Sequence, residues 1–177
     1  ETDFGNELQA LNRFGKNFAA NPQVHIPRAF PALSTAGVLT MERIVGRKLT
    51  AIDDADVRRK TALIYLDAAY QMVFRDGLFH GDLHPGNVFL EPDGKLGLID
   101  FGMVGRLSRQ RRDQLVDVIF ALTNGDVEGV AREWYRICRP SAHVDFATLE
   151  TAVFDLLETH VLDREVHEIQ LANLFRD

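Results

Sequence analysis

Apolar residues recur at helical spacing from the start of the chain, at Phe4, Leu8, Leu11, Phe14 and Phe18. The spacing predicts an amphipathic helix over residues 2–19, ended by Asn21-Pro22. Val24 and Ile26 alternate with polar neighbours before Pro27, which predicts a short strand. A second extended run, Val38 to Val45, opens after Gly37 and stops at Gly46. Asp53 or Asp54 caps a further helix, with Leu63, Leu66, Tyr70, Val73 and Phe74 as its inward stripe and Gly77 as its C-terminal cap. Next comes a loop, His80 to Asn87, dense in Gly, His and Asp. Val88-Phe89-Leu90, the turn Glu91-Pro92-Asp93-Gly94 and Lys95 to Ile99 predict a small hairpin. Beyond Ser108 the pattern is helical throughout. One stripe is Leu115, Val118, Ile119 and Leu122, closed by Asn124-Gly125. Another is Val127, Val130, Trp134 and Ile137, ended by Pro140. A third is Phe146, Leu149, Val153 and Leu156, and a shorter fourth contains Val166, Ile169 and Leu174. No repeat or low-complexity linker interrupts the sequence.

Composition narrows the classes. With 177 residues and 46% apolar content, the chain has the material for one domain with a buried core. Twenty Lys and Arg against 26 Asp and Glu give a net charge of −6, and the densest basic stretch is Arg109-Gln110-Arg111-Arg112. That balance argues against a dedicated nucleic-acid surface. No apolar run approaches the ~18–20 residues of a membrane span. Cys138 is the single cysteine, which excludes an internal disulfide and points to a reducing compartment.

Chemistry concentrates in His80-Gly81-Asp82-Leu83-His84-Pro85-Gly86-Asn87 and in Ile99-Asp100-Phe101-Gly102. A loop and a hairpin bring two carboxylates and an amide together, as a Mg-nucleotide site requires. Magnesium takes a few oxygen ligands and fills its other positions with phosphate and water. Asn87 and Asp100 can supply those oxygens, and Asp82 can face the terminal phosphate to accept a proton or orient an attacking group. Gly86 and Gly102 are expected to give the tight turns. A lone Asp and Asn in such a loop could equally cap their own turns; the Asp-Phe-Gly after a hydrophobic strand makes the joint pattern specific. Other patterns are weaker. His80 and His84 have a metal-like spacing, but Gly81 and Pro85 oppose a helix there. His167-Glu168 begins a zinc-protease motif without its second His. Trp134 and Tyr135 read as core and boundary, and Arg109, Arg111 and Arg112 as a solvated helix start.

The loop and the Ile-Asp-Phe-Gly-Met-Val-Gly-Arg-Leu stretch from Ile99 resemble the UbiB/AarF (ADCK-type) atypical kinase family, which has a protein-kinase-like fold and is implicated in ubiquinone biosynthesis. The resemblance runs from Glu1 to about Pro140. It implies an α+β fold: a mostly helical C-terminal lobe with a small hairpin, a hinge, and a remnant of the small lobe. Residues 1–37 would close the small lobe, 38–46 form the hinge strand, and 47–177 form the large lobe, with catalytic loop 80–87 and Asp-Phe-Gly 100–102. ATP and Mg would be the cofactors, with Asp82 as base or water-orienting residue and Asn87 and Asp100 on the metal. Met41 would lie against adenine, with backbone groups of Glu42 and Ile44 bonding it, although the segment also reads as an ordinary strand. His84 stands where protein kinases carry a phosphate-contacting Lys, and Gly81 where they carry an Arg. These departures favour ATP hydrolysis or an unusual acceptor over ordinary protein phosphorylation.

Glu7 falls in the apolar stripe of the first helix, where a carboxylate needs a partner or an edge to escape to solvent. In the family this position resembles the Glu that pairs with a strand lysine, and Glu1-Thr2-Asp3 resembles the Glu-x-Asp signature. Neither partner lysine is among Lys16, Lys48, Lys60 and Lys95. The chain is therefore expected to be a piece of a longer kinase-like protein. The resemblance further implies ubiquinone-pathway proteins or lipid precursors as partners. Membrane association would come through other segments, at the cytoplasmic side of the bacterial inner membrane or an organellar equivalent. Aminoglycoside or choline kinases share the loop, and a nucleotide-binding scaffold would use the same residues without turnover.

Overall fold

The computed structural model describes residues 3–138 and 145–158. Backbone contacts divide the chain into two units, Glu1–Leu107 and Ser108–Asp177.

The first unit opens with α1 (Phe4–Asn17), whose N-terminus is capped by the Asp3 carboxylate accepting from Gly5 N–H at 2.9 Å. The helical spacing of the sequence is realised: Leu11, Phe14 and Phe18 are buried. Short strands follow at β1 (Val24–His25) and β2 (Arg47–Lys48). The helix α2 (Ala55–Tyr70) starts on the Asp54 cap and passes into a wider π turn at Gln71–Asp76, ended by Gly77 at φ 61°. After it come β3 (Leu78–His80), β4 (Val88–Leu90), β5 (Leu96–Leu98) and β6 (Val104–Arg106). β4 and β5 form the expected hairpin. It is flanked by β1, parallel to β5, and β2, antiparallel to β4, in the order β1-β5-β4-β2. β3 and β6 form a separate antiparallel pair. The core gathers Phe14, Met72, Val88, Leu96, Leu98 and Phe101 between α1, α2 and the hairpin.

Several expectations need correction. On α2 the inward face differs from the expected stripe: Leu63, Leu66 and Tyr70 are exposed, while Thr61 and Ala68, with Gln71 and Met72 of the π turn, are buried. The buried polar groups are satisfied by hydrogen bonds. The Thr61 hydroxyl donates to the Val57 carbonyl at 2.7 Å, and Gln71 Nε2 donates to the Asn17 carbonyl at 3.0 Å. Residues 38–45 do not form a continuous strand. They make two isolated bridges, Thr35 with Val38 and Ala29 with Met41, the latter through Phe30 N–H to Thr40 O and Glu42 N–H to Arg28 O. Two antiparallel residues there lack the run of partners that a ladder needs.

The second unit contains α3 (Arg109–Thr123), α4 (Val127–Cys138) and α5 (Phe146–Leu157). Ser108 caps α3 through Arg111 N–H, and Gly125 at φ 65° turns the chain between α3 and α4. Ala121, Val130 and Leu157 make its core. Trp134, expected in a core stripe, is exposed, as are Ile119 and Phe120. Arg111 is not a solvated side chain, since its Nη1 donates to the Ile137 carbonyl at 2.6 Å. The expected fourth helix, with His167, lies outside the described residues. Among those described, no helix is long and apolar enough to cross a membrane.

Candidate functional site

The polar loop hangs between β3 and β4, and its conformation is set by two histidines. His80, buried at the end of β3, accepts the Asp82 N–H on Nδ1 at 3.1 Å. Its proton therefore sits on Nε2, which donates to the Ile99 carbonyl at 3.0 Å. One neutral ring thus ties Asp82 to the residue before Asp100. His84 folds back in the same way, accepting Gly86 N–H on Nδ1 at 2.9 Å and leaving Nε2 3.8 Å from Asp82 Oδ2. A Cβ on Gly86 would come within 2.4 Å of that ring, so any other residue here would push His84 out of its bond to residue 86.

Asn87 is buried, and its Nδ2 donates to the Asp82 carbonyl at 3.1 Å and reaches Asp82 Oδ2 at 3.5 Å. These bonds leave the amide oxygen Oδ1 as the group to meet a cation. Asn87 O accepts Ile99 N–H at 3.0 Å, which brings the loop end against the start of the Asp-Phe-Gly. Asp100 has φ 63°, a left-handed backbone uncommon outside glycine. The tight turn is therefore carried by the aspartate itself and not, as expected, by Gly86 or Gly102. Its Oδ1 accepts Gly102 N–H at 3.4 Å. Phe101 is buried against Phe14 and His80, with ring centroids 4.8 and 5.2 Å away, and so fixes where the exposed Asp100 stands.

Glu7 reaches this turn from α1. Its Oε1 accepts Phe101 N–H at 3.1 Å, and a Cβ on Gly102 would lie 3.7 Å from its Oε2. Burial, followed by the charge of Asp100, raises the Glu7 pKa above the ordinary carboxylate value, with the Phe101 hydrogen bond opposing. A half-buried carboxylate beside a second one is the environment that a cation would relieve. Asn87 Oδ1 and the Asp100 carboxylate offer two hard oxygens with one negative charge, which fits Mg²⁺ completed by phosphate and water.

The segment containing Met41, Glu42 and Ile44 packs against the hairpin. Ile44 packs on Gly97 of β5, whose added Cβ would meet Ile44 Cγ2 at 2.6 Å. The Glu42 side chain turns away, accepting Arg28 N–H at 3.1 Å and lying 3.5 Å from His25 Nε2. That leaves its backbone carbonyl, and not its carboxylate, for a ligand. His25 Nδ1 also meets Glu91 at 2.7 Å. Burial lowers the His25 pKa, but the bond and charge of Glu91, then those of Glu42, outweigh it and hold it above the ordinary value. Glu42 is lowered, first by the Arg28 N–H and then by His25.

Three contributors escaped the sequence reading. His80 was weighed only as a metal ligand, yet both ring nitrogens are taken by backbone groups. Tyr65 donates its hydroxyl to the Leu83 carbonyl, holding the loop onto α2. His25 clamps segment 38–46. Of these only His80, adjacent to the Gly-Asp of the motif, carried a signal.

Residues 1–134 match the ABC1 atypical kinase-like domain. The chain belongs to that family. ABC1 relatives include the chloroplastic Protein ACTIVITY OF BC1 COMPLEX KINASE 1 of Arabidopsis thaliana, 36% identical over 141 residues, which are 77% of this chain and 21% of that protein. ACTIVITY OF BC1 COMPLEX KINASE 3, also chloroplastic and from Arabidopsis, is 31% identical over 178 residues, covering 98% of this chain and 25% of that protein. The chain thus spans a fifth to a quarter of the length of these ABC1 relatives. Among solved structures, that of Rv3197 with erythromycin from Mycobacterium tuberculosis superimposes with a TM-score of 0.63 at 22% identity, over 92% of this chain and 42% of that one. It shares the fold. The expected resemblance to UbiB/AarF kinases and the kinase-like α+β fold both stand.

Proposed function

We propose that this chain is the catalytic part of an ATP- and Mg²⁺-dependent phosphotransferase or ATPase of the ABC1 type. The observation that carries the reading is the His80 bridge, which orders Asp82 and Asn87 against the strand end that presents Asp100. In this reading Asp82 accepts a proton from, or orients, the attacking hydroxyl or water. Asn87 Oδ1 and Asp100 would hold Mg²⁺, which when bound neutralises charge on the phosphates. His84, with Nε2 beside Asp82, would face the transferring phosphate, and an imidazole in place of a lysine there supports hydrolysis or a small acceptor over ordinary protein phosphorylation. Glu7 would orient a lysine on the phosphates. Residues 38–46 would serve as the hinge between a small lobe ending at residue 37 and a large lobe from 47, with Met41 against adenine and the Glu42 carbonyl and Ile44 N–H bonding it.

The family assignment supports a role in ubiquinone biosynthesis, with pathway proteins or lipid precursors as partners. The site of action would be the cytoplasmic face of a bacterial inner membrane or its organellar equivalent. Nucleic acid has no part in the reading. The test is ATP turnover by the full-length protein carrying Asp82→Asn or Asp100→Asn. Each is expected to lower turnover by about a hundredfold or more. Undiminished turnover in both would remove the catalytic assignment.

A further inference from the structure

Between α1 and β6 runs a groove of about 650 Å³ that the nucleotide reading does not use. Arg13 and Lys16 enter it from α1 and Arg106 from β6, and all three are exposed. No carboxylate lines it, although acids outnumber bases 26 to 20 in the chain. Among the described residues none of these three cations takes part in a side-chain ion pair. Asn6 and Gln9 add amide groups to the same wall, and Ala10, Leu78 and Val104 supply an apolar stretch.

We propose that this groove binds a phosphate ester, its phosphate held by Arg13, Lys16 and Arg106 and its organic part lying on Leu78 and Val104. Two guanidinium forks and an ammonium match a tetrahedral oxyanion, and the amides can donate to its remaining oxygens. The volume lies in the range of small-molecule sites, larger than phosphate alone needs. Position gives the site a consequence. The ligand would bridge α1 and β6, the helix that carries Glu7 and the strand that follows Phe101. It would therefore reinforce the Glu7 to Phe101 hydrogen bond. That consequence rests on the proposed role of Glu7 in the nucleotide site; phosphate binding does not.

The experiment is NMR titration of the full-length protein with inorganic phosphate, then glycerol 3-phosphate, at constant ionic strength and with EDTA present to disfavour the metal site. Amide shifts are expected at Arg13, Lys16 and Arg106, with affinity falling about tenfold for each cation removed in Arg13→Gln, Lys16→Gln and Arg106→Gln. Vesicles of phosphatidylcholine with and without phosphatidylglycerol form a second arm. Arginine-dependent binding to the glycerol vesicles alone would assign the ester to a lipid headgroup, and to glycerol 3-phosphate alone to a soluble metabolite; either supports the site. Binding that is absent in both arms, or unchanged in the triple variant, overturns it. Hydrogen exchange at the Phe101 amide reads the bridge. Slowing by phosphate in the wild type but not the triple variant is expected, and unchanged exchange overturns the bridge. Neither readout uses ATP turnover, so loss of the nucleotide reading would leave the phosphate site standing.

Discussion

Between His80 and Asn87 the polar groups find partners within the loop or at the adjoining strand ends, through a buried ring bonded on both nitrogens. Residues 38–46 have two isolated bridges to lean on, Ala29 with Met41 and Thr35 with Val38, and are steadied by side chains from β1 and the hairpin turn, through the acids and histidine of Glu42, Glu91 and His25. The two regions border one hairpin yet are stabilised by different physics. A network of buried ring and amide bonds to the backbone tolerates few substitutions. A half-exposed charge cluster tolerates substitution and responds to solution conditions. Rigidity is thus placed where reacting atoms would be aligned, and adjustability where a flat ring would be gripped.

Breaking the first region should have the largest effect. Phe101→Ala empties the space between Phe14 and His80 and is expected to cost about 3–5 kcal/mol in urea unfolding. His80→Phe keeps a ring but strands Asp82 N–H and the Ile99 carbonyl, for a loss of about 2 kcal/mol by the same measurement.

The link between the regions is probed by Gly97→Ala, whose methyl would press on Ile44. About 1–2 kcal/mol of overpacking strain is expected, with weakened ATP binding by calorimetry and unaltered amide shifts in the loop. Smallest is His25→Gln. The folded-state pKa of His25 is raised, so its contribution to stability is full below the unfolded value near 6.5 and is lost as pH rises through the folded value. Wild-type stability should fall by less than about 1 kcal/mol across that interval, and the variant should be flat there. A wild type without the slope would dissolve the contrast between the regions.

The meeting of Asp82, Asn87 and the Asp-Phe-Gly turn was more legible than the fold around it, because a short loop and a local hairpin join them at small sequence separation. The hairpin was legible because its turn residues and alternating flanks act locally. What escaped depends on distant partners. The inward face of α2 and the turn after it was misplaced because buried Gln71 is satisfied by the distant Asn17 carbonyl, and periodicity counts only apolar letters. β3 and β6 were missed because each is short and is defined by the other across a long loop. The clamp on segment 38–46 joins residues from three separate stretches, which no spacing rule connects.

The left-handed backbone of Asp100 narrows its possible replacements from two sides. Asparagine and glycine accept that geometry most readily, and each discards the negative charge. Glutamate keeps the charge but fits the turn poorly and lengthens the reach. Every single-residue path away from aspartate therefore gives up either its electrostatics or its geometry. For protein engineering, the position offers a way to silence the site while keeping the scaffold: Asp100→Asn should leave a folded protein that differs from the parent chiefly in one missing charge.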